Sequence, residues 1–480
     1  MSPFPELRIT RDGVSARGSF AEAQAAYLNP DAAAVSQLDR ALAASNVGVV
    51  AHYYMDPELQ GVLSACAWPH IHISDSLAMA DRALRMVQAG AAAVCVAGVD
   101  FMSENVRAVL DAGGFADVPV YRLAASHIGC SLAEAAERAA YDAFLDSAAR
   151  MPPSLHVVYI NTSLRTKAAA HAKVPTITCT SGNVVQTLVA AATALPGAHV
   201  WYGPDTYMGE NLRVILDALA AMDPALFAQR YPGVDRGAVA GLRQRFHPFQ
   251  QGNCIVHHLF GSAVVAQVLR DYADCLIAAH LEVPGEMFAL AATAERAGRG
   301  VVGSTSNILD FLVARTREGI AAATPGIRCV LGTEAGMVTS IVVAIQALLR
   351  QARSGFSLDI VFPVAAEAIA RTDEVTLPVV PGVAGGEGCS TSGGCATCPY
   401  MKMNSLDALQ SVVELSAQQS PSRLAPYAVK VGGAGGGAEL ARAGAQPILH
   451  MREFQRTGRL PQALVDDVYR RASGRATAAL

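Results

Sequence analysis

The sequence predicts an α/β fold made of several small parallel sheets. Three observations lead there. Short apolar runs alternate with helical patterns roughly six to eight times, the signature of βαβ units. The runs are continuously apolar rather than alternating, as strands covered on both faces are. The composition is 52% hydrophobic and only 16% charged, which implies much buried surface.

The strand-like runs are 47–51, 92–98, 156–160, 199–202, 254–257, 275–280, 301–303 and 329–332. Helical patterns cover 77–89, 184–195, 210–222, 307–317 and 337–350, and Gly90 stands where a helix-terminating glycine belongs. So many units exceed one sheet, and the breaks fall near Arg150 and Phe249. The predicted domains are therefore 30–150, 151–249 and 250–460. Segment 379–394 is rich in Gly, Pro and Ser and reads as a loop.

Bulk properties exclude several function classes. A net charge of −4 without charge blocks gives no footprint for nucleic acid or an anionic membrane. Stretch 174–204 is long and uncharged. Pro175, Asn183, Gln186, Pro196 and Gly197 interrupt it, so it reads as strand, helix, turn and strand. Residues 1–13 carry charges early and have no apolar centre, so no secretory leader is read there, and the expected location is cytoplasmic. In that compartment ten cysteines point to metal or redox chemistry rather than disulfides.

Ligands in open parallel sheets bind beyond the C-terminal strand ends. Standing there are His52 and Tyr54, Asp100, Tyr159 and Asn161, Asp205, His257, His280 and Glu282, Ser304 and Thr305, and Thr333 and Glu334. Any one alone reads as an ordinary half-buried polar residue; repetition at equivalent positions favours a site. Hydroxyls recur at helix starts, at Ser76, Ser181 and the run Ser304-Thr305-Ser306. The plain reading is capping. The functional reading is binding of carboxylates or phosphate at helix N-termini.

Cys95, Cys275 and Cys329 lie inside apolar runs and read as core. Cys130 precedes a helix, Cys254 follows a polar loop, and Cys398 sits in Cys395-Ala396-Thr397-Cys398-Pro399. Turns and helix starts favour thiolate. Three such thiolates on four irons would leave one iron open, although spacing alone does not establish this. The Cys395/Cys398 pair also fits a thiol-redox or half-zinc motif. The run Gly433-Ala434-Gly435-Gly436-Gly437-Ala438 mimics a dinucleotide fingerprint, but too little chain follows it for a nucleotide-binding half.

The ordered motifs resemble the quinolinate synthases across about 49–451. These are His52-Tyr53-Tyr54 with Pro57-Glu58-Leu59-Gln60, Asp75-Ser76-Leu77, Gly98-Val99-Asp100-Phe101-Met102-Ser103-Glu104, Gly129-Cys130-Ser131, Tyr159-Ile160-Asn161-Thr162-Ser163 and Thr180-Ser181. Later come Cys254 with His257, His280-Leu281-Glu282, Gly303-Ser304-Thr305-Ser306, Thr333-Glu334 and Cys398-Pro399-Tyr400-Met401. Leu281 departs from the family's usual proline, a change expected to move Glu282 slightly.

The resemblance implies three similar three-layer α/β/α sandwiches in a pseudo-threefold triangle. It implies a [4Fe–4S] cluster on Cys130, Cys254 and Cys398 with one open iron. It implies iminoaspartate and dihydroxyacetone phosphate as substrates, and an iminoaspartate-producing enzyme as a partner. Tyr54 and Glu282 would handle protons, and His52 would help position the triose. Ser76, Tyr159, Asn161, Ser181, His257, His280 and Thr305 would bind substrate. Cys395 remains an alternative ligand, and a Cys389–Cys395 disulfide an alternative use of that loop. The rival functions are a zinc or thiol-redox enzyme using Cys395/Cys398 and a non-enzymatic iron–sulfur sensor.

Overall fold

Fourteen strands carry the fold in the computed structural model, which describes residues 3–363, 397–429, 431 and 437–476. They are β1 (Glu6–Ile9), β2 (Val14–Arg17), β3 (Val47–His52), β4 (Ile71–Ser74), β5 (Ala93–Ala97), β6 (Val120–Arg122) and β7 (Ser154–Tyr159). They continue with β8 (Thr176–Cys179), β9 (His199–Gly203), β10 (Phe246–Pro248), β11 (Leu276–His280), β12 (Gly300–Gly303), β13 (Gly326–Gly332) and β14 (Ser357–Val361). Among the described residues they form three sheets, ordered β4-β3-β5-β6, β10-β9-β7-β8 and β12-β11-β13-β14-β1-β2. The first two are wholly parallel. The third is parallel from β12 to β14, and β1 and β2 extend it antiparallel.

The predicted α/β class with parallel sheets is what the chain adopts. Every residue of β3, β5 and β7 is buried, which is why these strands read as unbroken apolar runs. The uncharged stretch resolves into β8, helix Val184–Ala194 and β9. Helix Ser76–Gln88 ends on Ala89 and Gly90, whose φ of 100° suits glycine.

One strand prediction is wrong. Run 254–257 forms a turn leading into the 3-10 helix His257–Leu259, and the neighbouring strand is β10. Only Cys254, Ile255 and Val256 are apolar there, behind Gly252 and Asn253, so turn chemistry outweighs the apolar signal. Strands β1 and β2 escape the sequence reading because each is four residues long and alternates apolar residues with the polar Glu6, Arg8, Ser15 and Arg17. Their place is set by a distant partner: Arg8 forms a two-pronged pair with Asp359 of β14, both bonds 2.8 Å.

The described residues group into two units. The first holds the β3–β6 and β11–β14 sheets with β1 and β2. One of its cores joins Leu38 and Leu42, the inner face of β3 and β5, and Leu409, Val412 and Val413 of helix Leu406–Ala417. It also holds the apolar stretch Ala335–Ala352, which is long and apolar enough to cross a membrane by composition. Here Ile341, Ile345 and Leu349 are buried in the protein and Gln346 donates to the Thr10 carbonyl, as in a core helix. The second unit holds the β7–β10 sheet and the C-terminal helices Ala438–Thr457 and Gln462–Ala476.

Candidate active site

In the first unit β3 and β11 end in the same local device. Each closes on a histidine, and the backbone N–H two residues later donates to its Nδ1: Tyr54 to His52 at 3.2 Å, Glu282 to His280 at 3.3 Å. An Nδ1 that accepts places the ring proton on Nε2, so each neutral imidazole offers an Nε2–H donor. Both rings are buried, and desolvation lowers their pKa, to about 4 for His52 and about 3 for His280. Both rings are therefore uncharged at neutral pH.

Tyr54 is drawn in by its neighbours. Its Oη shares hydrogen bonds with Thr305 Oγ1 (2.9 Å) and Thr333 Oγ1 (3.0 Å). Gly336 permits this approach, since a Cβ there would lie 2.7 Å from the Tyr54 Cα. Burial raises the phenol well above its ordinary pKa and Glu334 adds to the rise, so the oxygen keeps its proton.

Beside it, Glu282 faces two imidazoles. Its Oε2 lies 2.9 Å from His257 Nδ1, and its Oε1 3.8 Å from His280 Nδ1. The two rings stack at 4.8 Å and 14°. His257 is 1% exposed, yet its Nδ1 lacks an aligned hydrogen bond despite that short approach. Its Nε2 meets Thr333 Oγ1 at 3.4 Å. Glu334 is buried too; its carboxyl is held well above the usual carboxylate range by desolvation, and its Oε1 accepts the Cys398 N–H at 2.6 Å.

The helix-start hydroxyls need a correction. Ser76 and Thr305 are first residues of their helices, not caps. Asp75 already accepts from Leu77 and Ala78, and Ser304 with Asn307 closes a capping box. An anion would therefore meet the side-chain hydroxyls rather than a full set of unpaired amides. The second Asp75 oxygen accepts from Ser306 Oγ at 2.8 Å, which ties the two helix starts together.

Leu281 is buried at the family's proline position. Its N–H donates to the Gly303 carbonyl at 3.0 Å, a bond proline could not make.

In the second unit, β7 ends on Tyr159, Asn161 follows two residues later, and Ser181 lies in the turn after β8. Cys130 caps helix Ser131–Ala136. Ser131 Oγ donates to the Asn253 carbonyl at 3.0 Å, so the residues next to Cys130 and Cys254 touch. Gly252 holds that loop by exchanging hydrogen bonds with Thr206.

Burial separates the cysteines into two kinds. Cys95, Cys179, Cys275 and Cys329 are buried, and desolvation raises each thiol, to about 12 for Cys95 and about 11 for Cys275. Cys130, Cys254 and Cys398 are half-buried, Cys130 at a helix start and the other two in loops. Cysteine sulfur is the donor an iron–sulfur cluster takes. Cys389 and Cys395, with the disulfide expectation, lie outside the described residues.

Thr333, Glu334 and Asp75 take larger parts in this geometry than the sequence reading assigned them. Their signal was position, since Thr333 and Glu334 directly follow β13 and Asp75 directly follows β4.

Comparison with known proteins agrees with the motifs. A family profile described as "Quinolinate synthetase A protein" matches residues 36–349. "Quinolinate synthase, chloroplastic" of Nicotiana tabacum is 49% identical over 98% of this chain and 67% of that protein. The Arabidopsis thaliana protein of that name is 50% identical over 97% and 67%, and the Oryza sativa subsp. japonica one 48% over 97% and 69%. These names overturn the cytoplasmic expectation, because each relative is a chloroplastic protein. The charges in residues 1–13 argued only against an apolar secretory leader and carry no information about a plastid.

Proposed function

The chain belongs to the quinolinate synthase family, and we propose that it condenses iminoaspartate with dihydroxyacetone phosphate to give quinolinate, phosphate and water, in de novo NAD biosynthesis. The observation that carries the reading is the first-unit constellation of Tyr54, Thr305, Thr333, His257, His280 and Glu282. Condensation, dehydration and ring closure each move protons, and this cluster offers a carboxylate, a protonated phenol, the neutral His280 ring and the His257 imidazole within contact of one another.

Glu282 takes and returns protons, with His257 and His280 facing its two oxygens. Tyr54 stays protonated and donates to a developing oxygen anion rather than acting as a base. His52 and His280 present Nε2–H donors to substrate oxygens, His52 toward the triose. Ser76, Thr305 and Ser181 bind carboxylate or phosphate oxygens through their hydroxyls, and Tyr159 and Asn161 line the substrate site. Cys130, Cys254 and Cys398 would hold a [4Fe–4S] cluster. When bound, its open iron supplies Lewis-acid polarisation of a departing hydroxyl.

The test is anaerobic purification followed by an assay for quinolinate from dihydroxyacetone phosphate and freshly generated iminoaspartate. Brown parent protein that forms quinolinate, beside a colourless and inactive Cys254→Ser variant, supports both the reaction and the ligand. Brown but inactive parent protein points to a sensor or another dehydratase. A colourless, zinc-loaded parent removes the cluster reading and favours thiol or zinc chemistry at the Cys398 loop.

A further inference from the structure

In the second unit a lysine is sealed behind the Asn161 loop. Lys167, on helix Leu164–Lys173, is wholly buried. Its Nζ donates to the Ile160 carbonyl at 3.1 Å and to the Thr162 carbonyl, the two carbonyls flanking Asn161. The Ile160 carbonyl also accepts the Thr162 N–H at 2.7 Å, which makes Asn161 the centre of a γ-turn. Thr162 Oγ1 donates back to the Tyr159 carbonyl at 3.1 Å. The Ile160 N–H donates to the Cys179 carbonyl at 2.8 Å, anchoring the loop on β8.

The far side is closed as well. Glu104, 8% exposed, accepts the Leu164 N–H at 2.7 Å at the start of the same helix. Helix Ala438–Thr457 presses on that start: a Cβ at Gly444 would lie 2.9 Å from the Leu164 carbonyl carbon. Burying an ammonium is costly, and an apolar residue of the same length would fill the space without that penalty. Ordinary packing therefore does not account for a lysine at this position. A rigid loop does, because an ammonium gripping both flanking carbonyls removes the freedom of the peptide between them.

We propose that Lys167 is a positioning residue that holds the Asn161 γ-turn in its ligand-binding geometry, with Glu104 fixing the helix that carries it. The inference rests on the proposed role of Asn161 in substrate binding. Lys167 itself touches no ligand; it acts through Asn161.

The experiment is a double-variant cycle on anaerobically purified, iron-loaded protein, with quinolinate as the binding probe. Asn161→Ala, Lys167→Met and the double variant are compared with the parent, and circular dichroism and iron content check the fold. Lys167→Met is expected to weaken quinolinate binding about tenfold, in keeping with loss of charge-assisted hydrogen bonds, and to leave iron content unchanged. In the Asn161→Ala background it should cost little more, since both changes remove one function.

Additive losses, or a Lys167→Met protein that binds like the parent while Asn161→Ala does not, would overturn the lysine's role and leave Asn161's intact. Parent-like binding by Asn161→Ala would instead strike the Asn161 assignment, and this inference with it. If Lys167→Met does not fold, Lys167→Gln is read by the same criteria.

Discussion

His52 and His280 in the first unit are buried as neutral rings, their Nδ1 atoms occupied by backbone N–H groups. Lys167 in the second unit is buried with its ammonium on two backbone carbonyls. Burial pulls all three pKa values down, and in each a nearby carboxylate opposes the fall: Asp75 and Glu282 for His52, Glu282 for His280 and Glu104 for Lys167. The first arrangement surrounds a carboxylate and a phenol with groups whose protons can be handed on. The second ties an amine to the two backbone carbonyls on either side of Asn161. On the proposed roles, the contrast separates a place that moves protons from a place that holds a ligand still.

The sharpest way to break that contrast is Glu282→Gln. It should lower kcat by about a thousandfold through loss of the proton-carrying carboxylate, with quinolinate affinity changed by less than about threefold. A variant that loses affinity and keeps kcat would make Glu282 a binding residue. Tyr54→Phe should lower kcat by about a hundredfold. Its pH–rate profile below pH 9 should keep the parent's shape, because burial and Glu334 hold the phenol above that range. Disappearance of an alkaline limb would show that Tyr54 titrates as a base.

A smaller effect concerns stability in acid. His156 is buried, bonded to Tyr141 Oη at 2.9 Å, and lowered by desolvation from the usual 6.5 to about 3. Above pH 6.5 it is neutral folded and unfolded, and its contribution is fully present. As the pH falls toward 3 the unfolded chain takes up a proton that the folded chain refuses, so stability is lost. Denaturant midpoints at pH 7.5 and 5.0 should therefore fall less in His156→Gln than in the parent. Equal slopes would mean that the ring is protonated in place.

The smallest effect is expected from Leu281→Pro. It removes one backbone bond, to the Gly303 carbonyl, for a loss of about 1 kcal/mol in a urea titration. A much larger loss would mean that this position cannot accept the family's usual proline geometry.

Much of this was legible before the fold. The strand-end positions of His52, Tyr159, His280 and Thr333 follow from local hydrophobic pattern, because a fully covered parallel strand must be apolar and must stop where polar groups begin. The contrast between core and half-buried cysteines was also readable, since Cys95 and Cys329 sit within apolar runs while Cys130 and Cys254 follow polar ones. The 254–257 segment misled because three apolar residues satisfy both a strand and a turn. The Asp75 cap was hidden by the serines around it, which compete for the same role.

The sequence by itself determined the α/β class, most of the strand ends and the family, because these depend on periodicity and on motifs a few residues long. Only the tertiary structure decided that Tyr54 shares its oxygen between Thr305 and Thr333, that β1 pairs with β14, and that Lys167 closes on the carbonyls around Asn161. The first two join residues hundreds of positions apart. The third depends on the curl of a loop against its own helix. No local pattern encodes such contacts; they exist because burial forces each polar group to find a partner wherever the packed chain supplies one.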